Sequence, residues 1–352
     1  MHLKISAKII FFHLISTLNN NNYIKKTLNI TIPILLGGGI LYWMYRGFDF
    51  QTMRRTLTDD MNWGWMMFSM IFGVTAQMFR GMRWRQTLAP LGENPRTIDC
   101  IHAVFISYAS SLIIPRSGEL TRCGVLARYD GTSFSKALGT VVTERIIDSL
   151  LILLITALVI LYQARVFLTF FDETGTNIND ILRGFTATGY IVTLLCGVIT
   201  LAFAWYALHK FAFMTKIRQK VDNVKAGVLS LRDVSNKPLF AFYTLAIWAS
   251  YFLHYWITFR CFGFMEGLGF NAAIVSFIVG SIAVIVPTPN GAGPWHFAVK
   301  TILILYGIAD TDAETFVLIV HTLQPALVPL LGVFSLLCLA PRKMEKPLSP
   351  TK

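Results

Sequence analysis

Long apolar runs alternate with short polar segments along most of the chain. Crossing a bilayer as a helix takes about 18 to 20 apolar residues. Six runs approach or exceed that length, at residues 28–45, 61–79, 134–162, 185–209, 237–260 and 315–339. Because a lipid-exposed backbone must satisfy its own hydrogen bonds, this pattern predicts an all-α polytopic membrane protein with about six full spans.

Two further apolar stretches are broken by proline and glycine. The first lies near 100–128 and is interrupted at Pro115 and Gly118. The second lies near 270–308, and four residues of this kind mark its break: Pro287, Pro289, Gly291 and Gly293. A 15-residue helix rises only about 22 Å, so the sequence predicts two re-entrant helical hairpins.

The count of crossings suggests two halves with inverted topology. One hairpin would begin at the inner surface and the other at the outer surface, an arrangement typical of transporters with a site near the midplane. Lysine and arginine fall in loops and at span ends, which places the C-terminus in the cytoplasm. The expected divisions are a cytoplasmic or interfacial extension at 1–27, one transmembrane domain at 28–340, an amphipathic cytoplasmic helix near 214–234 and a basic cytoplasmic tail at 341–352.

Composition narrows the class further. The chain is 54% hydrophobic and 14% charged, its mean hydropathy is +0.56, and soluble domains carry about 25% charged residues. The net charge of +12 is explained by membrane topology and lipid headgroups, so no nucleic-acid partner is expected. Five scattered cysteines indicate no disulfide or metal site, and we expect no cofactor.

Charged residues within the apolar region are the main functional candidates, because an ionisable group in a span costs several kcal/mol unless it is paired or meets water. They are Arg116, Glu119, Arg122, Glu144, Arg145 and Asp148. Their helical spacing leaves two interpretations open. Salt bridges could fix the first hairpin, or the arginines could bind the phosphate of an anionic headgroup while the carboxylates orient them.

The second break and the end of the second span add further candidates. Asn290 and His296 lie beside the Pro/Gly break, which is either a tight turn or a half-helix N-terminus that faces a phosphate. Arg80, Arg83 and Trp84 follow the apolar run at 61–79. We expect these three residues to form an interfacial anchor at the cytoplasmic surface that also touches headgroups.

Three segments together resemble the lysylphosphatidylglycerol synthase transmembrane region family. The first is RGMRWR at 80–85, and the third is VPTPNGAGPWH at 286–296. The second, at 110–153, begins with SSLIIPRSGELTRCG and ends with TERIIDSLLIL. This flippase-like domain occurs alone in many prokaryotes and is fused to an aminoacyl-transferase in the multiple peptide resistance factor. The resemblance covers about 28–340, and we expect a stand-alone protein without the transferase domain.

The resemblance implies movement of a lipid. The positions that match the family pattern are Arg116, Gly118, Glu119, Arg122, Glu144, Arg145 and Asp148. In the late motif, where many members read P-T-P-G-G-x-G-x-x-E, this chain has Asn290 in place of a glycine and His296 in place of the glutamate.

The leading hypothesis is a flippase-like transporter of the bacterial inner membrane. Its cargo would be an anionic or aminoacylated phospholipid, a glycolipid or a polyprenyl-linked lipid. Its partners would be membrane lipids, with a lipid-modifying enzyme or a second copy of the chain as additional partners. We find no catalytic motif and expect no enzyme activity, but two alternatives stay open: a membrane transferase in envelope glycolipid synthesis with Glu119 or Asp148 as its base, and a scaffold for a partner enzyme.

Overall fold

The computed structural model describes residues 50–113, 117–164, 229–286 and 288–339, together with a few isolated residues elsewhere. Within these ranges the regular structure is helical and contains no strand. Several predicted features lie wholly or mostly outside the described residues: the extension at 1–27, the spans at 28–45 and 185–209, the amphipathic helix at 214–234, the tail at 341–352, and the three residues Pro115, Arg116 and Pro287.

Most of the described α-helices overlap the predicted apolar stretches. They are α1 (Phe50–Arg55), α2 (Trp63–Leu88), α3 (Thr97–Ile113), α4 (Gly118–Tyr129), α5 (Phe134–Tyr162), α6 (Lys237–Trp256), α7 (Phe270–Ala283), α8 (Pro294–Leu305) and α9 (Asp310–Leu339). The all-α fold class predicted from the sequence is thereby confirmed.

Two of the described helices, α5 and α9, are both long enough and apolar enough to cross a bilayer. Their large apolar side chains face outward: Leu150 and Leu153 on α5 and Leu330 on α9 are largely exposed. A continuous apolar surface of this kind on a protein in water marks a contact with a partner or a membrane. Here it fits a helix bundle whose outer solvent is lipid.

Both predicted hairpins consist of two short helices that pack side by side, α3 with α4 and α7 with α8. In the first pair, α4 approaches α3 very closely at Gly118. A Cβ atom at this position would collide with the carbonyl oxygen of Ser107 and the hydroxyl of Ser111, so only glycine fits. The re-entry of the pairs from a membrane surface, the total of six spans and the inverted relation of the halves stay predictions.

Helix α2 is longer than the sequence predicted. The apolar run suggested an end near residue 79, but the helix continues through three arginines to Leu88. It packs against α3, α5 and α6. The helix does not stop at the arginines because two of them, Arg80 and Arg83, are buried against carboxylates of α5.

Candidate functional site

A buried network of charges joins α2, α4 and α5. The guanidinium of Arg80 donates to Asp148 at 2.7 Å, and Arg83 lies 2.8 Å from the other oxygen of the same carboxylate. Glu144 accepts from Arg122 at 2.8 Å and lies 3.4 Å from Arg83. All five side chains are buried, so each charge depends on the others for the stabilisation that water would otherwise give.

Helical spacing explains why these residues meet. Arg80 and Arg83 are three apart on α2, and Glu144 and Asp148 are four apart on α5, so each pair lies on one face of its helix. Trp84 is on the same side of α2. Its ring lies 4.6 Å under the guanidinium of Arg122, and its indole N–H donates to Thr140 at 2.9 Å.

This arrangement corrects one expectation. Arg80, Arg83 and Trp84 do not form an interfacial anchor, because all three are buried. Sequence reasoning assigned them to the membrane surface because basic residues usually follow a span at that surface. The signal that could have placed them correctly was helical spacing, because residues three apart, like Arg80 and Arg83, and residues four apart, like Glu144 and Asp148, each share one face of a helix.

The outer part of the network is more accessible. Arg145 lies 3.5 Å from Glu119 and 3.6 Å from Asp148. The side chains of Arg145 and Glu119 are 41% and 50% exposed, so this pair contributes little to stability. The whole network, listed as Arg80, Arg83, Arg122, Arg145, Glu119, Glu144 and Asp148, has four guanidinium groups for three carboxylates and therefore one excess positive charge.

Three of these arginines line a polar cavity of about 340 Å³, which we call the arginine cavity. Its lining consists of Arg80, Ser107, Tyr108, Ser111, Gly118, Glu119, Arg122 and Arg145. Nε of Arg80 and one terminal nitrogen of Arg122 are buried and have no hydrogen-bond partner among the described residues. Such donors are costly to leave unpaired, and a guanidinium fork suits the oxygens of a phosphate or carboxylate.

An apolar groove of about 330 Å³ adjoins the arginine cavity. Glu119 and Arg145 line both of them. The rest of the groove comes from α5 and includes Val142, Ile146 and Leu150, which are exposed. The half-exposed pair of Glu119 and Arg145 thus lies between a polar cavity and an apolar surface that is suited to hydrocarbon chains. We call this surface the lateral groove.

The second break lies apart from the arginine cavity. Asn290 has a positive φ of 52°, as do Gly291 at 73° and Gly293 at 90°, so the chain turns tightly here. His296 is buried and its Nδ1 accepts from the N–H of Gly293 at 3.3 Å. His296 thereby satisfies the first turn of α8. Neither residue lines the arginine cavity, whereas Asn290 lines a second cavity. That Asn290 and His296 join the charged residues in one headgroup site stays a prediction.

Of the residues predicted to bind a headgroup, the structure brings five together: Glu119, Arg122, Glu144, Arg145 and Asp148. Glu144 and Asp148 act as counter-charges and do not line the arginine cavity. Sequence reasoning named Arg80 and Arg83 but missed that they pair with Asp148 and Glu144.

The family model of the lysylphosphatidylglycerol synthase TM region matches residues 30–332. The chain belongs to this family. Its members are membrane proteins of lipid metabolism or transport, and the TM region is the non-catalytic, flippase-like part of the synthase. No curated protein and no solved structure matches the chain.

Proposed function

We propose that this protein is a flippase-like transporter that takes the anionic headgroup of a membrane lipid into the arginine cavity. The observation that carries the proposal is a set of guanidinium donors that have no partner among the described residues, at a cavity beside a lipid-facing groove. A lipid phosphate would balance the excess positive charge of the network. The family's relation to lipid metabolism or transport supports the same conclusion.

The two interpretations of the charges are complementary in this proposal. Glu144 accepts from Arg122 and lies near Arg83, and Asp148 accepts from Arg80. These pairs use part of the donor capacity of the arginines, because each guanidinium offers five N–H groups. The remaining N–H groups are held in place before a ligand arrives, which reduces the entropy lost on binding.

The lateral groove would receive the acyl or prenyl chains. Its wall of exposed valine, isoleucine and leucine side chains on α5 is apolar. These side chains can contact hydrocarbon without the desolvation of any polar group. The headgroup could then pass the pair formed by Glu119 and Arg145 while its tails stay in the membrane. This pair is exposed enough to open at little energetic cost.

A transferase mechanism is less consistent with the site. Asp148 is held by two arginines at 2.7 and 2.8 Å, so both of its carboxylate oxygens are engaged. Among the described residues that line the arginine cavity, Glu119 is the one carboxylate, and Arg145 lies 3.5 Å from it. We therefore favour transport, in the bacterial inner membrane and with a cytoplasmic C-terminus, with lipids as the principal partners.

Reconstitution into liposomes tests the proposal. Tail-labelled fluorescent phosphatidylglycerol is placed in both leaflets and the outer leaflet is bleached with dithionite. A transporter exposes the inner pool, so bleaching should exceed the half that protein-free vesicles show. Arg145→Gln should slow the second phase by ~10-fold or more, the effect of losing one charge-assisted hydrogen bond.

The matched control is Arg128→Gln. Arg128 lies on α4, is exposed and packs over Tyr129 at 6.0 Å, away from the arginine cavity. This variant should transport like the wild type. Equal bleaching in wild-type and protein-free vesicles, for phosphatidylglycerol and for other anionic lipids, would contradict the proposal.

A further inference from the structure

A second cavity, of about 310 Å³, lies between α2, α6, α7 and α9. Six aromatic side chains contribute to its wall: Tyr108, Trp248, Tyr251, Tyr255, Phe277 and Trp295. We call it the aromatic cavity. Its volume is at the lower end of the range for small-molecule sites, about 300 to 1,000 Å³, and its lining of aromatic and aliphatic side chains with several polar groups is typical of them.

Two polar atoms at this cavity have no partner among the described residues. Oε1 of Gln77 is a buried acceptor and Nε1 of Trp248 is a buried donor, and neither makes a hydrogen bond within the described part of the chain. Gln77 is only 7% exposed, so water reaches it poorly. Buried polar atoms of this kind are rarely left unsatisfied in a folded protein. They indicate a ligand with both a donor and an acceptor.

The described residues that line the aromatic cavity include two histidines, His254 and His321, but no permanently charged side chain. Among the described residues that line this cavity there is no aspartate, glutamate, lysine or arginine. A charged group placed here would lose its hydration without gaining a counter-ion. An uncharged ligand with hydroxyl groups fits better, because hydroxyls both donate and accept while the C–H faces of a ring pack on aromatic surfaces.

The aromatic cavity and the arginine cavity share a wall. Tyr108 lines both, and its hydroxyl lies 3.0 Å from that of Tyr251. Arg80, which lines the arginine cavity, lies 5.8 Å from the ring of Tyr251. One ligand could therefore place a phosphate on one side of this tyrosine pair and an uncharged ring on the other.

From this geometry we propose that the aromatic cavity binds an uncharged, hydroxyl-rich ring, a sugar or polyol, that belongs to the same lipid whose phosphate enters the arginine cavity. The inference rests on the proposed function and names its substrate class. It also makes a cationic aminoacyl headgroup a less suitable cargo, because none of the described residues that line the aromatic cavity is a carboxylate that could pair with an ammonium.

Binding of three short-chain lipids to the purified full chain tests the inference. Dioctanoyl phosphatidate supplies a phosphate alone, dioctanoyl phosphatidylinositol adds a polyol ring, and dioctanoyl lysylphosphatidylglycerol adds an ammonium. Native mass spectrometry gives a dissociation constant for each. The wild type should bind phosphatidylinositol ~10-fold more tightly than phosphatidate, as expected for one or two added hydrogen bonds, and more tightly than the lysyl lipid.

Variants assign this preference to the cavity. Gln77→Leu should abolish the preference for phosphatidylinositol over phosphatidate without weakening the binding of phosphatidate. Gln86→Leu is the matched control, because Gln86 lies on the same helix, also has an unpartnered Oε1 and lines neither cavity. Trp248→Phe keeps an aromatic ring but removes the N–H donor, and it should lower the preference several-fold even if Gln77→Leu does not fold.

The outcomes separate the two proposals. Phosphatidate binding that depends on Arg145, without a preference for phosphatidylinositol, would overturn the ring site and leave the transporter intact. A preference that survives in both cavity variants, or tighter binding of the lysyl lipid, would also overturn the ring site. Phosphatidate that does not bind, or that binds equally well to Arg145→Gln, would overturn the proposed function.

Discussion

Glu144 is the carboxylate whose loss should affect the fold most. It is fully buried, accepts from Arg122 at 2.8 Å and lies 3.4 Å from Arg83. Glu144→Gln preserves the shape of the side chain but removes its negative charge. The excess positive charge of the network then rises from one to two, and Arg122 has no other salt-bridge partner among the described residues.

The expected magnitude follows from the geometry. Two unit charges about 4 Å apart attract by about 4 kcal/mol at an effective dielectric constant of 20. Desolvation offsets part of this attraction in the intact pair, but removing one partner leaves a buried charge uncompensated. Such losses are typically ~3 to 5 kcal/mol. We expect Glu144→Gln to lower the free energy of unfolding by that amount.

A double-mutant cycle measures the interaction itself. Unfolding of the wild type, Glu144→Gln, Arg122→Gln and the double variant is followed in mixed micelles by tryptophan fluorescence. Because the double variant removes both charges, it should be more stable than the sum of the single losses predicts, by ~1 to 3 kcal/mol. Glu119→Gln is the control, since its pair with Arg145 is half-exposed and its loss should cost at most about 1 kcal/mol. A loss below 1 kcal/mol for Glu144→Gln, or no coupling with Arg122→Gln, would refute the reasoning.

Two further substitutions test other parts of the structure. Gly118→Ala should lower the midpoint of thermal unfolding by an amount equivalent to ~1 to 3 kcal/mol, because its Cβ would collide with Ser107. Gly124 lies on the same helix with open space around it, so Gly124→Ala should leave the midpoint unchanged or raise it. Burial raises the pKa of Asp130 to about 6, and the hydrogen bond and charge of Asp99 add to this effect. The folded state therefore binds more protons than the unfolded state between about pH 4 and 6. Its stability falls as the pH rises through that window. Asp130→Asn should therefore be more stable than the wild type at pH 7.5 and equally stable at pH 4; a larger difference at pH 4 would contradict this assignment.

The described helices were largely predictable from the sequence because their boundaries are set locally. The long helix expected at 134–162 is observed at Phe134–Tyr162, where Gly131 and polar residues precede the apolar run. The helix expected at 315–339 begins earlier, at Asp310. Its first turn contains Asp310 and Asp312, and acidic side chains in a first turn are favoured by the helix dipole.

The site was predictable only in part, because its contacts join residues far apart in the chain. Arg83 and Glu144 are 61 residues apart, and Arg80 and Asp148 are 68 apart. A local rule for basic residues after a span could not show that these charges meet. The aromatic cavity was missed for a related reason. Trp248 and Tyr251 lie in an apolar run, where periodicity alone does not separate side chains that face lipid from those that face a cavity.

The two buried arginines of α2 have a consequence for how the protein enters the membrane. On insertion scales an arginine costs about 2.5 to 3.5 kcal/mol at the centre of an inserting helix and less near its ends. Arg80 and Arg83 lie in the C-terminal part of α2, so α2 alone carries part of this penalty. Its carboxylate partners are synthesised 61 and 68 residues later, a delay of roughly 3 to 14 s at ordinary translation rates. During biogenesis α2 is therefore expected to stay at the translocon or the bilayer surface until α5 emerges, and the two helices should be integrated as a pair.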